Sequence, residues 1–321
     1  MIGKLSPDRL DRIIERTGAE DGAVRLGPAL GEDAAVIELP GTNLIVSTDP
    51  LSLAAEELGR LAVHVACNDV ATAGARPRWV TSALFLPDDD PDVLETLIDQ
   101  LDETARALDV AIVGGHTEYA PALERPLAVL TAFGTTDRPV STGGADPGDV
   151  IVLAGTAGIE GTGILATDFR EELIDRGVEL ADIERGAERT GSISVVEPAI
   201  AVRSLATGMH DPTEGGIVAG LVEIAAAADC RIEVDPDAIP VGTDTAALCA
   251  AMDVDPLRIF GSGALLVTVR PKDRAAAVDA LAATGIEASV IGRVTEGDPI
   301  VTLGEERVAE LPRDQLYPLW E

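Results

Sequence analysis

Three aspartates in separate segments of the first half of the chain lie in positions suited to ligand binding. Asp33 lies in the segment GEDAA, Asp49 ends a predicted strand, and Asp69 follows Asn68 in a helix rich in alanine and valine. A carboxylate among apolar helix residues costs free energy unless it is paired or binds a metal. Mg²⁺ takes a few carboxylates together with phosphate oxygens and water. The pattern favours a magnesium–phosphate site, although each aspartate taken alone is more often a cap or turn residue.

The sequence Gly114-Gly115-His116-Thr117-Glu118 follows an apolar strand and is interpreted as a turn. Two adjacent glycines let the backbone approach a ligand closely, and Thr117 offers a hydroxyl group. His116 and Glu118 are candidates for proton transfer. A turn histidine without a catalytic role is the alternative reading of the same residues.

A third candidate segment, Asp211-Pro212-Thr213-Glu214-Gly215-Gly216, begins a predicted helix. Its glycines expose backbone N–H groups, and a helix N-terminus attracts anions. Asp211 or Thr213 can equally serve as the helix cap with no ligand involved.

Other common sites are absent or weak in this sequence. There is no GxxxxGK[ST] segment, which argues against a P-loop nucleotide site. The glycine-rich turn GTAGIEGTG lies between a strand and a helix, but its spacing is not GxGxxG and Asp168 follows too soon to bind a ribose. Tight strand–helix packing is the favoured interpretation. Three widely spaced cysteines, Cys67, Cys230 and Cys249, predict neither a disulfide framework nor a zinc site.

The composition is strongly acidic, with a formal net charge of −32 and only two lysines among the cations. No basic patch is visible that could neutralise phosphates, so a nucleic-acid partner is not expected. Carboxylates spread over a lysine-poor chain suit concentrated salt, where their repulsion is screened, and predict a halophilic protein. The start of the sequence has no signal-like apolar segment and no apolar run is long enough to span a bilayer, so a soluble, cytoplasmic protein is expected.

Strands and helices that could position these residues alternate in both halves of the chain. Apolar residues at helical spacing predict a helix over residues 91–108, and apolar runs predict strands over 79–86 and 127–134. The glycine- and aspartate-rich segment 141–149 marks a domain boundary. The fold class is therefore α/β or α+β, with an N-terminal domain at 1–145 and a C-terminal domain at 146–321.

Five motifs in a fixed order carry a resemblance to a known superfamily: GEDAAV, STD, NDVATAGARP, GGHTE and HDPTEGG. Each is weak alone, but their combination closely resembles the superfamily of aminoimidazole ribonucleotide (AIR) synthetase (PurM), the hydrogenase-maturation factor HypE, thiamin-monophosphate kinase and selenophosphate synthetase. The chain is most similar to archaeal HypE-like, AIR synthase-related proteins that lack a C-terminal cysteine. The resemblance extends to DPLRIF and GSGALL and so covers most of the chain.

This resemblance implies a PurM-like architecture of two α/β domains, in which N-terminal sheets pair in a homodimer and ATP binds in a cleft. By position it implies that Asp33, Asp49 and Asp69 hold Mg²⁺ on the phosphates. The implied ATP-binding positions are Asn68, Gly114, Gly115, Thr117, Asp211, Thr213 and Glu214.

Two departures from the superfamily pattern limit what the resemblance implies. HypE carries its carbamoyl group on a C-terminal cysteine, whereas this sequence ends in Tyr317-Pro318-Leu319-Trp320-Glu321, so that acceptor is not expected here. The acidic residue of the family's GGDT segment is His116, a poorer Mg²⁺ ligand than a carboxylate. Fewer acids hold the metal, or Glu118 compensates, or His116 transfers protons.

The leading functional hypothesis is an ATP- and Mg²⁺-dependent enzyme that activates an oxygen atom of a small molecule or a maturation protein by phosphoryl transfer. A second hypothesis is a nucleotide-binding maturation partner or regulator that does not turn over. A third is a small-molecule kinase similar to thiamin-monophosphate kinase.

Overall fold

The computed structural model describes residue 3, residue 5, residues 7–52 and residues 57–321. The chain forms two compact units. We call the first the six-stranded unit, comprising Gly22–Gly27 and Asp33–Pro139. The second, the seven-stranded unit, comprises Met1–Asp21, Pro28–Glu32 and Val140–Glu321.

In the six-stranded unit, the described residues form a mixed sheet covered on one face by helices. The strand order is β1-β2-β3-β6-β4-β5, and the pairing is antiparallel except between β4 and β5. The elements are β1 (Val24–Leu26), β2 (Ala35–Leu39), β3 (Thr42–Leu51), α2 (Leu58–Thr72), β4 (Arg76–Leu86), α3 (Pro91–Ala107), β5 (Ala111–Tyr119) and β6 (Leu127–Thr136), preceded in the chain by α1 (Pro7–Ile14).

Helix α3 is formed as its sequence pattern predicts. The Asp90 carboxylate accepts a hydrogen bond from the N–H of Asp92 at 2.9 Å, and Pro91 occupies the first turn. Leu97 and Leu101 are buried and face α2. The two helices approach closely at Gly59, where an added Cβ would lie 2.6 Å from the Leu97 carbonyl oxygen. Helix α2 is thereby enclosed and held against the sheet, which gives its polar residues a constrained position.

In the seven-stranded unit, the described strands follow the order β13-β12-β9-β11-β7-β10-β8. Its core joins the inward face of α8 to the sheet through buried residues such as Ile217, Leu221, Ile151 and Leu266. The elements are β7 (Val150–Ala154), α4 (Ile159–Asp168), α5 (Arg170–Asp175), α6 (Leu180–Glu188), α7 (Val196–Val202), β8 (Ala206–His210), α8 (Gly216–Ala227), β9 (Arg231–Val234), α9 (Thr243–Met252), β10 (Leu265–Val269), α10 (Arg274–Ala282), β11 (Ala288–Thr295), β12 (Val301–Leu303), β13 (Glu306–Val308) and α11 (Tyr317–Trp320).

Among the described residues, no helix has the length and apolar character needed to cross a lipid bilayer.

The face of the six-stranded sheet opposite α2 is apolar and partly exposed. The strand register places Val46, Phe133 and Trp79 side by side on this face. Ser47, the residue after Val46, is buried and points to the opposite face, toward α2, because side chains alternate along a strand. The edge strand β5 is also exposed, and Tyr119 retains 61% of its accessible surface. An apolar sheet face of this kind is normally buried against a second layer.

We therefore expect the protein to form a homodimer through this open sheet face. Sedimentation in high salt should show a species near twice the chain mass of 33.2 kDa. Val129→Glu, which puts a charge on the open face, should yield monomers, whereas Ile98→Glu on the exposed side of α3 should not. A clean monomer of the unaltered protein at micromolar concentration would contradict the dimer.

Carboxylates line the outer side of α3, where Asp92, Asp99, Asp102 and Glu103 are all exposed. Their mutual repulsion is weakened when the Debye length falls from about 10 Å at 0.1 M salt to about 3 Å at 1 M. We expect the melting temperature to rise as KCl increases from about 0.1 to about 2 M. A flat or falling melting temperature over this range would exclude salt adaptation as the reason for the acidic composition.

Candidate functional site

Asp49 and Asp69 are brought together by one hydroxyl group in the six-stranded unit. Ser47 Oγ lies 2.6 Å from Asp69 Oδ2 and 3.2 Å from Asp49 Oδ2. Ser47 and Asp49 lie two residues apart on β3 and so face the same side of the sheet, toward α2. The two carboxylates from different elements thus share one bridging partner.

Asp33 joins the same group through Thr72. Thr72 Oγ1 lies 3.2 Å from Asp33 Oδ2 and 2.9 Å from the backbone carbonyl oxygen of Asp69, and its single proton can be donated to either acceptor. Thr72 and Asp69 are three residues apart and lie on one face of α2. The three aspartates predicted from separate segments therefore belong to one connected polar network. Thr72, which links two of them, was not among the predicted site residues.

The chemistry of this network suits a hard cation. A serine hydroxyl has only one proton, so Ser47 can donate to Asp69 or to Asp49 but not to both at once. The two carboxylates therefore compete for one proton, and a cation close to both would relieve their mutual repulsion. Among the described residues, no three His, Cys, Asp or Glu side chains already form a set that could hold a metal ion. Mg²⁺ bound here would complete its coordination with phosphate oxygens and water.

Asn68 is completely buried in α2, directly before Asp69, which is 7% exposed. Neighbouring positions on a helix point about 100° apart, so the two side chains face different directions. The buried position of both polar residues in an apolar helix agrees with the sequence argument that such groups need partners.

The segment from Gly114 to Glu118 is part of strand β5 and is not the turn expected from its glycines. Parallel pairing with β4 continues from Thr81 opposite Gly114 to Leu86 opposite Tyr119, after a register shift just before Gly114. An added Cβ at Gly115 would lie 2.2 Å from the Ser82 carbonyl oxygen. The glycines therefore permit close strand contact, and the strand continues through them because β4 supplies hydrogen-bond partners along its whole length.

His116 and Glu118 are not brought together with the three aspartates in this unit. His116 pairs in register with Ala83 and Glu118 with Phe85, which lie on the open sheet face. Gly115 and Thr117 point to the opposite face, which is the face of Asp49. His116 Nε2 lies 3.2 Å from Glu118 Oε2, and both side chains are more than half exposed. The strand thus divides the predicted residues between two faces.

The HDPTEGG segment begins α8 in the seven-stranded unit with a glycine cap. Gly215 is the N-cap with a φ of 78°, and as a glycine it supplies no side-chain cap hydrogen bond. The N–H of Gly215 donates instead to Asp314 Oδ2 at 2.7 Å. Asp211 is 1% exposed. The N-cap position is therefore occupied by Gly215 and not by Asp211 or Thr213, the two residues offered as alternative caps, because the helix starts at the left-handed turn of Gly215.

Glu214 belongs to a group of acidic residues that the sequence did not identify. Burial raises the pKa of Glu160 to about 7, with a smaller raising effect from Glu214. Burial likewise raises the pKa of Asp314 to about 7, although the N–H groups of Gly215 and Leu316 act against the shift. Burial and a hydrogen bond to Glu214 raise the pKa of Tyr317. Glu214 therefore interacts electrostatically with two buried carboxyl groups whose pKa values burial raises.

The cysteines are buried and unreactive. Cys67 is completely buried, and burial raises the pKa of its thiol to about 12. Burial has the same effect on Cys230, to about 11, and on Cys249, to about 12. Since the thiolate is the nucleophilic form, none of the three is placed to accept a group during a reaction.

Cys67→Ala is expected to preserve ATP binding and any turnover, although Cys67 precedes Asn68 and Asp69. The substitution removes one buried atom and should lower the free energy of unfolding by about 1 kcal/mol. Chemical denaturation measures the free energy of unfolding, and an ATP-binding isotherm measures the affinity. Loss of turnover in a folded variant would show that the thiol takes part in the reaction.

Both halves of the chain match models of a known protein family. The model of the AIR synthase related protein N-terminal domain matches residues 31–136, and that of the C-terminal domain matches residues 146–304. The carbamoyl dehydratase HypE of Escherichia coli K12 is 31% identical over 304 residues, which cover 89% of this chain and 87% of that protein. The chain belongs to the AIR synthase-related family. The predicted resemblance and the two-domain PurM-like fold class are confirmed.

Further members of the AIR synthase-related family show the same relation along almost the whole chain. A putative hydrogenase expression/formation protein of Methanocaldococcus jannaschii is 26% identical over 329 residues, covering 97% of this chain and 94% of that protein. The crystal structure of the hydrogenase maturation protein HypE in complex with ATP has a TM-score of 0.75 and 27% identity, covering 90% of this chain and 91% of that one.

The protein AaThiL, in a structure complexed with AMPPCP and TMP, has a TM-score of 0.77 to this family member at 21% identity. The match covers 97% of this chain and 98% of that chain. At this identity the similarity establishes the shared fold alone.

Proposed function

We propose that this protein is an ATP-using enzyme of the AIR synthase superfamily that requires Mg²⁺ and activates an oxygen atom of its substrate by phosphoryl transfer. The observation that carries the proposal is the network in which Ser47 bridges Asp49 and Asp69 while Thr72 links Asp33 to Asp69. The HypE relative whose crystal structure contains ATP supports the choice of nucleotide.

In this proposal Asp33, Asp49 and Asp69 hold Mg²⁺, which neutralises charge on the phosphates when bound. Ser47 keeps two of the carboxylates close and oriented, and Thr72 does the same for the third. Asn68, Gly114, Gly115 and Thr117 contact the nucleotide in the six-stranded unit. Asp211, Thr213 and Glu214 of the HDPTEGG segment remain proposed ATP-binding residues. Catalysis arises from positioning and from charge stabilisation, with little covalent chemistry required of the protein.

His116 and Glu118 remain proposed proton-transferring residues. Their 3.2 Å contact gives an acid–base pair, and their exposure leaves both side chains accessible. Because they lie on the open sheet face, we assign them a role only in the homodimer. His116→Ala should then reduce turnover without changing Mg²⁺-dependent ATP binding by the six-stranded unit's aspartates, and a pH–rate profile is the appropriate measurement.

The domain division that accompanies this proposal is 1–145 for the N-terminal, ATP- and Mg²⁺-binding domain and 146–321 for the C-terminal domain. The gap between the two family models at residues 136 and 146 supports a boundary in this segment. We further propose that the protein is cytoplasmic and acts on a small molecule or a maturation protein.

A role as a non-catalytic ATP-binding partner in hydrogenase maturation is the second candidate. The Methanocaldococcus jannaschii relative, whose name is that of a putative hydrogenase expression/formation protein, favours it. The three buried thiols also favour it, because none of them is placed to carry a carbamoyl group. Measuring ATP binding and ATP hydrolysis separately in high salt distinguishes the two. Tight binding with no hydrolysis, alone or with candidate substrates, would favour the partner.

A small-molecule kinase is a third candidate, since a thiamine-monophosphate kinase from Stenotrophomonas maltophilia is 27% identical, with a TM-score of 0.70 over 92% of this chain. A thermal-shift screen with ATP, Mg²⁺ and a metabolite panel that includes thiamin monophosphate tests it. A shift that requires both nucleotide and one metabolite, followed by formation of its phosphate ester, would support the kinase.

A further inference from the structure

Glu32, which precedes the predicted metal ligand Asp33, makes contacts with a distant part of the chain. Its carboxylate accepts hydrogen bonds from Ser141 Oγ at 2.5 Å, from the N–H of Thr142 at 3.0 Å and from the N–H of Gly143 at 2.9 Å. Oε1 accepts the hydrogen bonds from Ser141 and Gly143, and Oε2 accepts the one from Thr142. Hydrogen bonds to an ionised carboxylate are roughly twice as strong as neutral ones.

The turn that Glu32 contacts is held tightly inside the seven-stranded unit. The hydroxyl of Thr142 donates to the carbonyl oxygen of Met209 at 3.2 Å. A Cβ added at Gly143 would lie 2.6 Å from the Ala227 carbonyl oxygen, and one added at Gly144 would lie 2.1 Å from the Thr207 carbonyl oxygen. Backbone packing this close leaves the turn no room to shift, so it is a rigid anchor for the carboxylate.

The residue before Glu32 is also tightly placed. Gly31 has a φ of 81°, and a Cβ there would lie 2.7 Å from the carbonyl oxygen of Glu223. The Glu223 carboxylate in turn lies 3.0 Å from His210 Nε2, and both side chains are buried. The close contact at Gly31 thus restrains the backbone just before Glu32 within the seven-stranded unit.

We propose that Glu32 is a positioning residue for the nucleotide site: its carboxylate fixes the backbone that carries Asp33 and thereby tunes Mg²⁺-dependent binding. This inference rests on the proposed function. Three of the roughly four lone-pair sites of the Glu32 carboxylate accept hydrogen bonds from the turn at 141–143, so its role in this proposal is to anchor the backbone.

Glu32→Gln tests the proposal with little change of shape. The amide retains one acceptor oxygen, but its NH₂ group then faces an N–H or hydroxyl donor and cannot accept from it. We expect the Mg²⁺ concentration for half-maximal ATP binding to rise by about tenfold, and ATP binding in EDTA to stay within about twofold. Ser141→Ala removes one hydrogen-bond donor to Glu32. It should raise this half-maximal Mg²⁺ concentration, the Mg²⁺ midpoint, by a smaller factor of about threefold.

Two control variants separate positioning from other effects. Glu305→Gln changes an exposed acid in the turn between β12 and β13 and should match the unaltered protein. Leu303→Ala removes buried apolar atoms from the seven-stranded unit, so it should lower the melting temperature without moving the Mg²⁺ midpoint. Circular dichroism before each titration verifies that every variant is folded.

Asp33→Asn distinguishes failure of this inference from failure of the proposed function. If Asp33→Asn raises the Mg²⁺ midpoint while Glu32→Gln leaves it unchanged, the positioning role is wrong and the metal site stands. If Leu303→Ala moves the midpoint as far as Glu32→Gln, the effect is only a loss of stability and the positioning role is again wrong. If the unaltered protein shows no Mg²⁺-dependent ATP binding, both proposals are overturned.

Discussion

Asp69→Asn is expected to weaken ATP binding in the presence of Mg²⁺ by about tenfold or more, which corresponds to about 1.4 kcal/mol. The substitution preserves shape, and the asparagine oxygen can still accept the hydrogen bond from Ser47, which lies 2.6 Å from Asp69 Oδ2. What it removes is a negative charge beside the proposed divalent ion. In the absence of nucleotide and metal, stability should hold or rise, because repulsion with Asp49 is relieved.

Isothermal calorimetry with and without Mg²⁺ measures this effect, and chemical denaturation of the nucleotide-free variant measures stability. Asp99→Asn, on the exposed side of α3, provides a control of equal charge change. A purely structural role for Asp69 predicts the reverse pattern, namely lower stability with unchanged ATP affinity. Unchanged affinity in a well-folded variant would remove the main support for the proposed metal site.

Glu160→Gln is expected to stabilise the protein at pH 8 by on the order of 3 kcal/mol relative to the unaltered chain. Glu160 is 4% exposed, and burial raises its pKa from 4.5 to about 7. Between pH 4.5 and 7 the folded state retains a proton that the unfolded state has lost, so stability falls as pH rises through this range. Above pH 7 the charged carboxylate is buried and the full cost is present.

Urea denaturation of both proteins at pH 5 and pH 8 checks this prediction. The two should be similar at pH 5, where Glu160 is protonated when folded, and should differ at pH 8. His64, whose pKa burial lowers to about 4, contributes an opposite pH dependence that cancels in the comparison. Glu171→Gln on the exposed start of α5 is the matched control. Equal stabilities at pH 8 would show that Glu160 is not a destabilising charge.

Local sequence patterns predicted the elements well where one physical rule dominates. Helix α3 was expected over residues 91–108 and spans Pro91–Ala107, because its apolar period and its Asp90-Pro91 start agree. The strand expected over residues 79–86 is β4 (Arg76–Leu86), and the strand expected over 127–134 is β6 (Leu127–Thr136). The glycines at 114 and 115 misled the prediction, because glycine's turn preference is local and pairing with β4 is not.

In the candidate site, too, local sequence predicted some features and not others. Residue type and order pointed to Asp33, Asp49 and Asp69, and their assignment as metal ligands stays a prediction. Ser47 and Thr72 were missed, although spacing could have identified them: Ser47 is two residues from Asp49 on a strand, and Thr72 is three residues from Asp69 on a helix. Position on the same face is a property of spacing once the element type is known.

By itself, then, the amino-acid sequence determined the family, the alternation of strands and helices, and the acidic, lysine-poor surface, since each of these depends on residue type and short-range order. Only the tertiary structure decided that His116 and Glu118 face away from the aspartates, that Glu32 binds a turn more than a hundred residues away, and that Glu160 and Asp314 are buried carboxyls. These properties depend on which strands pair and which groups lose water, and the free energies of pairing and desolvation are set by neighbours distant in the chain.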